Sequence, residues 1–372
     1  MSNKSEKIVS DLLALADIKL QGDRPWDIQV KNDSFYSRVL SSGSMDLGES
    51  YMDAWWEAKD LAEFFNRLLS ADLDEIVRQN KQLVFDLIKF RLFNRQSKKI
   101  AKQNSEHHYN IGNELYKNML DKRMVYTCGY WAQAENLDQA QEDKLDLVCR
   151  KIGLKSGDKV MDIGSGWGSF AKFAAEKYGA TVIGYNVSSE QVKLSRELCQ
   201  GLPVEFKLQD YREANEKVDH IVSLGMIEHV GYKNYREYMK IAARCLRDNG
   251  LFLLQTIGSN KSVTCTDPWI NKYIFPNGML PSIKQLSTAI EGLFVVEDWH
   301  SFGVYYDRTL LAWHDNFVRN WHKIKNDYDD RFFRMWQYYL LVSAGSFRSC
   351  KNRLWQIVLS KHGVRGGYQS IR

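Results

Sequence analysis

The sequence predicts an α/β fold: a doubly wound, Rossmann-like sheet preceded by a smaller, mostly helical N-terminal domain. Beyond residue 136, short apolar stretches alternate with helical segments, which is typical of parallel βαβ units. The apolar run 159–163 leads into glycines at positions 164, 166 and 168, and an amphipathic segment follows at 169–178. A glycine turn between a strand and a helix commonly opens such a sheet and contacts a nucleotide. With 44% hydrophobic and 26% charged residues, the 372-residue chain has the composition of a globular protein.

The chain is predicted to divide into an N-terminal domain at 1–93, a polar linker at 94–105 and a catalytic domain at 106–372. In the N-terminal domain, apolar spacing from Ile8 to Ala16 predicts an amphipathic helix. The rest of this domain is predicted from local patterns: strands at 26–30 and 35–40, a loop at 43–51 and a helix over 52–69.

In the catalytic domain the predicted strands lie at 159–163, 181–185, 204–207, 220–224 and 250–256, and the predicted helices at 137–152, 169–178, 188–199 and 232–246. Two further helical runs, 308–322 and 330–347, carry most of the 14 aromatic residues found between positions 299 and 347. Such a density of aromatic side chains fits core packing, and it also fits the lining of an apolar pocket that stabilises a cation.

The net charge of +5 has a local source, since residues 81–104 contain seven lysines and arginines and one acidic residue. This basic stretch fits either a packed helix with a solvated face or an arm that docks on anionic lipid. The charge is not spread over the chain, so we expect no nucleic-acid partner.

Neither a signal peptide nor a membrane-spanning apolar run is recognisable, and the six cysteines form no CxxC pair. We therefore expect a cytoplasmic protein without disulfides or a metal site, whose membrane contact is peripheral.

The glycine turn has two possible ligands, a dinucleotide and S-adenosylmethionine. The spacing is GxGxG where dinucleotide sites have GxGxxG, and the next strand ends in Gly184-Tyr185-Asn186 without a carboxylate for the ribose. Both features weaken the dinucleotide interpretation. The alternative is S-adenosylmethionine, whose methyltransferases have an acid on the first strand, as Asp162 is here. Glu228, after the fourth strand, falls at the same carboxyl edge of the sheet.

A DNA-modifying methyltransferase is set aside. Such an enzyme has a Pro-Pro-aromatic motif after the fourth strand, whereas Asp267-Pro268-Trp269 follows the fifth strand and lacks a second proline.

Several motifs together resemble the cyclopropane-fatty-acid-phospholipid synthases, the mycolic acid cyclopropane synthase-like family. The match runs in order from about residue 106 to the end of the chain, and the N-terminal domain is similar more weakly. The matching segments are 126–131 (YTCGYW), 162–168 (DIGSGWG), 208–212 (LQDYR), 228–231 (EHVG), 267–278 (DPWINKYIFPNG) and 302–313.

This resemblance implies transfer of a methyl group from S-adenosylmethionine to a cis double bond of a phospholipid acyl chain. The resulting carbocation loses a proton to a bound bicarbonate ion, which closes a cyclopropane ring. The implied partner is an anionic phospholipid bilayer at the inner face of the cytoplasmic membrane, and a homodimer is allowed but not required. Two other functions stay open: methylation of another lipid or an amine, and lipid binding without activity.

The resemblance also assigns the site. The bicarbonate pocket would comprise Glu228, Tyr306 and the backbones of Cys128 and Ile257, with Gln255 where the family usually has His. Ser343 stands where many members have a cysteine often regarded as catalytic. The donor site would comprise Tyr126, Thr127, Asp162, Gly164, Gly166, Asn186, Gln191, Asp210 and Tyr211. Plainer alternatives remain, namely a helix N-terminal carboxylate for Glu228 and core packing for Tyr306.

Overall fold

The computed structural model describes residues 2–73 and 112–372. The predicted linker at 94–105, the basic stretch at 81–104 and the start of the catalytic domain at 106 lie outside these residues. The described helices are α1 (Ser2–Leu15), α2 (Ser34–Ser42), α3 (Ser44–Met52), α4 (Leu61–Ser70), α5 (Asn113–Met119), α6 (Leu137–Lys151), α7 (Ser169–Tyr178), α8 (Ser189–Leu198), α9 (Tyr235–Cys245), α10 (Pro268–Tyr273), α11 (Ile283–Ile290), α12 (Val304–Ile324) and α13 (Asp330–Arg348). The described strands are β1 (Gln29–Val30), β2 (Trp56–Glu57), β3 (Lys159–Ile163), β4 (Thr181–Asn186), β5 (Val204–Leu208), β6 (Val218–Leu224), β7 (Leu246–Ser259), β8 (Val295–Ser301) and β9 (Asn352–Ser360).

The chain forms two compact units. Unit 1 contains the described residues up to Met119 together with Asp267–Pro276 and Leu310–Lys351. Unit 2 contains Leu120–Thr266, Asn277–Thr309 and Asn352–Arg372. The domain bounds given by the sequence stay a prediction. No helix in 2–73 or 112–372 is both long enough and apolar enough to cross a membrane.

Unit 1 is mostly helical, with a two-stranded sheet of β1 and β2, and its core is rich in aromatic side chains. Helix α13 packs closely on α4, because a Cβ at Gly345 would lie 2.6 Å from that of Phe65. Further along α13, the rings of Phe332 and Trp336 stack with centroids 5.7 Å apart. Many of the aromatic residues after position 310 are therefore core packing, as one of the two interpretations expected.

Three predictions for the N-terminal domain are wrong. The expected strand at 35–40 is helix α2, which buries Phe35, Tyr36 and Leu40, so burial of that face overrides their strand propensity. The expected loop at 43–51 is helix α3. The helix expected from residue 52 begins only at Leu61, because Asp60 caps it by accepting a hydrogen bond from the Glu63 amide at 2.9 Å.

Unit 2 is built on a seven-stranded sheet in the order β5-β4-β3-β6-β7-β9-β8. Strands β3 to β7 are parallel, as predicted, whereas β9 is antiparallel to both β7 and β8. The sequence pattern did not predict β8 and β9. Neighbouring residues of β3 point to opposite faces: Met161 packs in one apolar cluster with Leu286 of α11, and Val160 in another with Leu145 of α6. Helices therefore cover both faces, and the predicted doubly wound α/β fold is confirmed.

The parallel register places the ends of the central strands at one edge of the sheet. Asp162 pairs with Gly184 on one side and with Val222 on the other, and Leu224 pairs with Gln255. The loops that follow β3, β4, β5 and β6 consequently start at a common edge, where ligands of open α/β sheets bind.

Candidate active site

The glycine turn after β3 has backbone angles that only glycine adopts easily. Gly164, Gly166 and Gly168 have φ values of 83°, 53° and 81°. The amides of Gly164 and Ser165 both donate to the carbonyl oxygen of Tyr185, at 3.0 and 3.1 Å, which ties the turn to the end of β4. A Cβ at Gly166 would meet nothing within 4 Å. The turn therefore leaves open space at Gly166, where a ligand could approach the backbone.

The two amide side chains predicted for the donor site lie together beside this turn. Asn186 Nδ2 donates to the carbonyl oxygen of Gly166 at 3.1 Å and to Gln191 Oε1 at 3.0 Å. Its amide oxygen accepts from the Ser188 amide at 3.0 Å. Asn186 and Gln191 thus form one polar group against Gly166, in the place where a ribose carboxylate would otherwise stand.

Asp210 and Tyr211 follow β5 at the same edge. Asp210 caps the short 3₁₀ helix Tyr211–Glu213 by accepting from the Arg212 amide at 2.9 Å. The Tyr211 ring is buried and packs edge-on against Tyr238, with centroids 5.3 Å apart. Tyr211 is thus held by core packing, and the roles predicted for this pair in donor binding stay a prediction.

Three ionisable side chains of unit 2, Asp162, Lys144 and Asp121, are buried and interact electrostatically. Burial raises the pKa of Asp162 to about 7, although the charge of Lys144 lowers it. Burial lowers the pKa of Lys144 to about 8, against the opposite influence of Asp121 and Asp162. Burial raises the pKa of Asp121 to about 6, and its oxygens accept from the amides of Arg123 and Val125 at 2.9 and 2.8 Å. The lysine therefore compensates two carboxyl groups that would otherwise be costly to bury.

Cys128 is fully buried on the segment before α6. Its Sγ lies 3.9 Å from Thr309 Oγ1, and burial raises the pKa of the thiol well above its usual value. A thiol in this environment stays protonated near neutral pH, so it is a poor nucleophile. The thiol therefore need not be a nucleophile, and the role of the Cys128 backbone in the ion pocket stays a prediction.

Glu228 lies in the 3₁₀ turn Ile227–His229 after β6 and is buried. Its Oε1 accepts a hydrogen bond from the Ile257 amide at 2.7 Å. Its Oε2 is also buried but has no hydrogen-bond partner among the described residues. Burial raises the pKa of Glu228 to about 7, although the Ile257 amide and the Thr256 side chain oppose this shift. The structure thus connects Glu228 and Ile257, two residues predicted for the ion pocket. Within the described residues, Oε2 of Glu228 is left as an unpaired acceptor.

Gln255 lies two residues before Ile257 on β7 and faces a second glutamine. Gln255 Oε1 accepts from Gln356 Nε2 at 2.9 Å, and the two residues are cross-strand partners between β7 and β9. Both are essentially inaccessible to solvent. The side-chain oxygen of Gln255 already accepts a hydrogen bond. The side-chain NH₂ group of Gln255 is therefore the part that can donate to an anion.

The remaining two residues predicted for catalysis lie on the long C-terminal helices. Tyr306 is buried in the first turn of α12, one helical turn before Thr309. Ser343 is on α13 of unit 1, where its carbonyl oxygen accepts from Ser346 Oγ at 2.7 Å. Their catalytic roles stay a prediction.

Sequence reasoning missed several buried polar residues of unit 2, among them Gln141, Lys144, Thr309 and Gln356. For α6 a signal was present, since Gln141 and Lys144 share the buried face with apolar residues such as Ala140 and Val148. Polar side chains in an apolar helical stripe indicate buried hydrogen bonds. For Gln356 the signal is its place within the apolar run of β9.

Comparison with known proteins identifies the family. The family model described as mycolic acid cyclopropane synthetase matches residues 96–357. Cyclopropane-fatty-acyl-phospholipid synthase of Escherichia coli (strain K12) is 48% identical over 366 residues, which cover 98% of this chain and 96% of that protein. A probable fatty acid methyltransferase of Pseudomonas putida is 36% identical over 275 residues, 68% of each chain.

Solved structures agree with these relatives. The cyclopropane synthase MmaA2 from Mycobacterium tuberculosis superposes with a TM-score of 0.64 at 25% identity, covering 70% of this chain and all of that one. The mycolic acid cyclopropane synthase CmaA1 complexed with SAH and CTAB gives a TM-score of 0.64 at 27% identity, covering 69% of this chain and 97% of that one. Because the family model matches residues 96–357 and a full-length relative is 48% identical, this chain belongs to the mycolic acid cyclopropane synthetase family.

Proposed function

We propose that this protein is an S-adenosylmethionine-dependent cyclopropane synthase that acts on the cis double bonds of acyl chains in membrane phospholipids. Membership of the family and the near full-length similarity to a cyclopropane-fatty-acyl-phospholipid synthase support this function. The observation that carries it is the buried Glu228, whose Oε2 has no partner within the described part of the chain.

The donor side of the site fits S-adenosylmethionine, which supplies the methyl group. Gly164 and Gly166 let the ligand approach the backbone, and the space above Gly166 is open. Asn186 and Gln191 present amide groups beside it. We assign Tyr126, Thr127, Asp162, Asp210 and Tyr211 to the same donor site.

The acceptor side fits a small anion that carries a hydroxyl group, and we propose bicarbonate, which supplies the base for ring closure. Glu228 Oε2 is the acceptor for its O–H group, and Oε1 is held in place by the Ile257 amide. Gln255, positioned by Gln356, donates to the anion. Tyr306 and the backbone of Cys128 complete the pocket, and burial of these groups excludes the water that would trap a cationic substrate.

We further propose that the protein binds peripherally at the cytoplasmic face of the membrane. The substrate is a bilayer lipid, so the protein must reach it from the membrane surface. The basic stretch 81–104 supplies the charge for an anionic surface, at about 1 kcal/mol per basic residue.

The test is incubation of the purified protein with labelled S-adenosylmethionine and vesicles of a monounsaturated anionic phospholipid. Mass analysis of the acyl chains is expected to show a gain of one CH₂ group with loss of the double bond. Vesicles of the saturated lipid, matched in headgroup, are the control and should stay unlabelled. Removal of bicarbonate from the buffer should slow the reaction.

Other products would overturn the proposal. A methylated headgroup would identify a methyltransferase on another acceptor. A methyl or methylene branch instead of a ring would show that the site alkylates the alkene but does not close the ring. Vesicle binding without any labelled product would identify a lipid-binding homologue.

A further inference from the structure

Polar side chains interrupt the buried face of α6, which otherwise packs apolar residues against the sheet. Gln141 and Lys144, three positions apart, are both 0% exposed. A lysine is almost never fully buried unless it is paired, because the desolvated ammonium group is costly. Its partners therefore indicate what the helix does at this place.

Both side chains hold Thr127, which lies in the segment 126–131 and is predicted to belong to the donor site. Lys144 Nζ donates to Thr127 Oγ1 at 2.8 Å. Gln141 Nε2 donates to the carbonyl oxygen of Thr127 at 2.7 Å and to that of Val125 at 3.4 Å. One turn of α6 thus fixes both the backbone and the hydroxyl group of Thr127.

The rest of this segment is fixed from α12. Thr309 Oγ1 accepts from the Gly129 amide at 3.1 Å and from Trp131 Nε1 at 2.9 Å, and it donates to the Tyr305 carbonyl oxygen at 2.8 Å. Helix α6 therefore fixes the residue before Cys128, and α12 fixes residues after it. The position of Thr127 depends on its hydrogen bonds to α6.

Thr127 in turn lies against the turn that follows β6. A Cβ at Gly225 would lie 3.0 Å from the Thr127 methyl group. Likewise, a Cβ at Gly164 would lie 3.0 Å from that of Met226, which follows Gly225. Thr127 is consequently packed against the turn that leads to Glu228, and Met226 of that turn packs against Gly164, so the orientation of Thr127 affects the shape of the donor site.

We propose that Lys144, assisted by Gln141, is a positioning residue for methyl-donor binding, which it supports by fixing the hydroxyl and carbonyl groups of Thr127. This inference rests on the proposed function, since it takes Thr127 as part of the donor site. Residues that orient ligand-contacting groups typically contribute about tenfold or more to affinity.

The same helix offers a matched control. Lys151 is also 0% exposed, but its Nζ lies 3.0 Å from His300 Nδ1 and 3.6 Å from Asp298 Oδ2. Burial lowers the pKa of Lys151 to about 8, as it does for Lys144. If Lys144 only neutralised buried charge, replacement of either lysine should have the same consequences.

The experiment is a calorimetric titration of the full-length protein and its variants with S-adenosylhomocysteine, accompanied by thermal unfolding. Lys144→Met is expected to weaken binding by about tenfold or more, with the KM for phospholipid vesicles unchanged. Lys151→Met is expected to lower the Tm but to keep the parent affinity. The inference is overturned if Lys144→Met binds as tightly as the parent, or if Lys151→Met loses as much affinity.

Three further variants test the inference even if Lys144→Met fails to fold. Thr127→Ser keeps the hydroxyl group and should bind close to the parent, whereas Thr127→Val should lose affinity. Gln141→Leu, which removes the bond to the Thr127 carbonyl, should also weaken binding. If all three variants bind S-adenosylhomocysteine as tightly as the parent, the inference is overturned. If the parent itself fails to bind S-adenosylhomocysteine, the proposed function fails and the inference falls with it.

Discussion

The carboxylate of Glu228 accepts a hydrogen bond from the Ile257 amide at 2.7 Å through one oxygen, and its other oxygen is buried with no partner among residues 2–73 and 112–372. This arrangement fixes the direction of a single acceptor at the carboxyl edge of the sheet. A buried acceptor that stays unpaired costs free energy, about 1–3 kcal/mol for an ordinary polar group. Such a cost is typical of a group whose partner is a ligand.

The first prediction concerns the charge of that acceptor. Glu228→Gln keeps the shape of the side chain but replaces one acceptor oxygen by a donor, so we expect kcat to fall by about 10²–10⁴-fold. S-adenosylhomocysteine affinity should stay within about threefold, since Glu228 lies on the acceptor side. Product formation and calorimetry measure the two effects. Near-parent turnover would remove Glu228 from the chemistry.

The second prediction is a pH dependence of turnover. Burial raises the pKa of Glu228 to about 7, so below that pH the carboxyl group is protonated and cannot serve as the acceptor. At saturating donor, kcat should fall by about tenfold per pH unit below about 7. Asp162, whose pKa is also raised to about 7, would instead affect donor binding. A kcat that is flat from pH 5 to 8, with the donor saturating, would contradict the role given to Glu228.

Stability provides an independent check of the same group. Because the folded pKa of Glu228 lies above its ordinary value of 4.5, the folded state holds the proton more tightly than the unfolded state. Its contribution to stability is present below pH 4.5 and is lost as the pH rises through about 7. The free energy of unfolding should therefore decline less over this range in Glu228→Gln than in the parent, as urea titrations at several pH values can measure.

The third prediction concerns Gln255, which stands where the family usually has histidine. A neutral histidine has one acceptor and one donor nitrogen, so Gln255→His can accept from Gln356 and still donate to an anion. We expect kcat within about tenfold of the parent. Gln255→Leu makes neither bond and should lose far more activity. A folded but inactive Gln255→His would show that Gln255 does not belong to the ion pocket.

The glycine turn and the position of Glu228 could be predicted because each is a local signal. A strand, three alternate glycines and a following helix are contiguous in sequence, and parallel strands bring their carboxyl ends to one edge. Lys144 and Gln356 could not be assigned in this way, since their partners, Thr127 and Gln255, are 17 and 101 positions away.

The errors in the N-terminal domain have a different physical origin. Residues 35–40 have strand-forming side chains, but Phe35 and Leu40 are buried on one side of a helix. Tertiary packing decides between the two structures, and local propensity does not contain that information. Strands β8 and β9 were missed for a related reason, because their antiparallel pairing with the end of the sheet depends on distant segments.

The last prediction tests the open space at the glycine turn. Gly166 has a φ of 53° and a Cβ there would meet no protein atom within 4 Å, so Gly166→Ala adds a methyl group only where the donor is proposed to lie. Gly201, in the turn before β5, has a φ of 81° and equally free space, and it is therefore a matched control. Both substitutions should cost about 1–2 kcal/mol of stability, because alanine is strained in this conformation.

Only Gly166→Ala should reduce the affinity for S-adenosylhomocysteine, by about tenfold or more, because its methyl group and the ligand compete for the same volume. Calorimetry on both variants, with unfolding curves to confirm the equal loss of stability, separates strain from obstruction. Equal affinities of the two variants would mean that the ligand does not approach the backbone of Gly166, and the donor site would then have to lie elsewhere along the carboxyl edge.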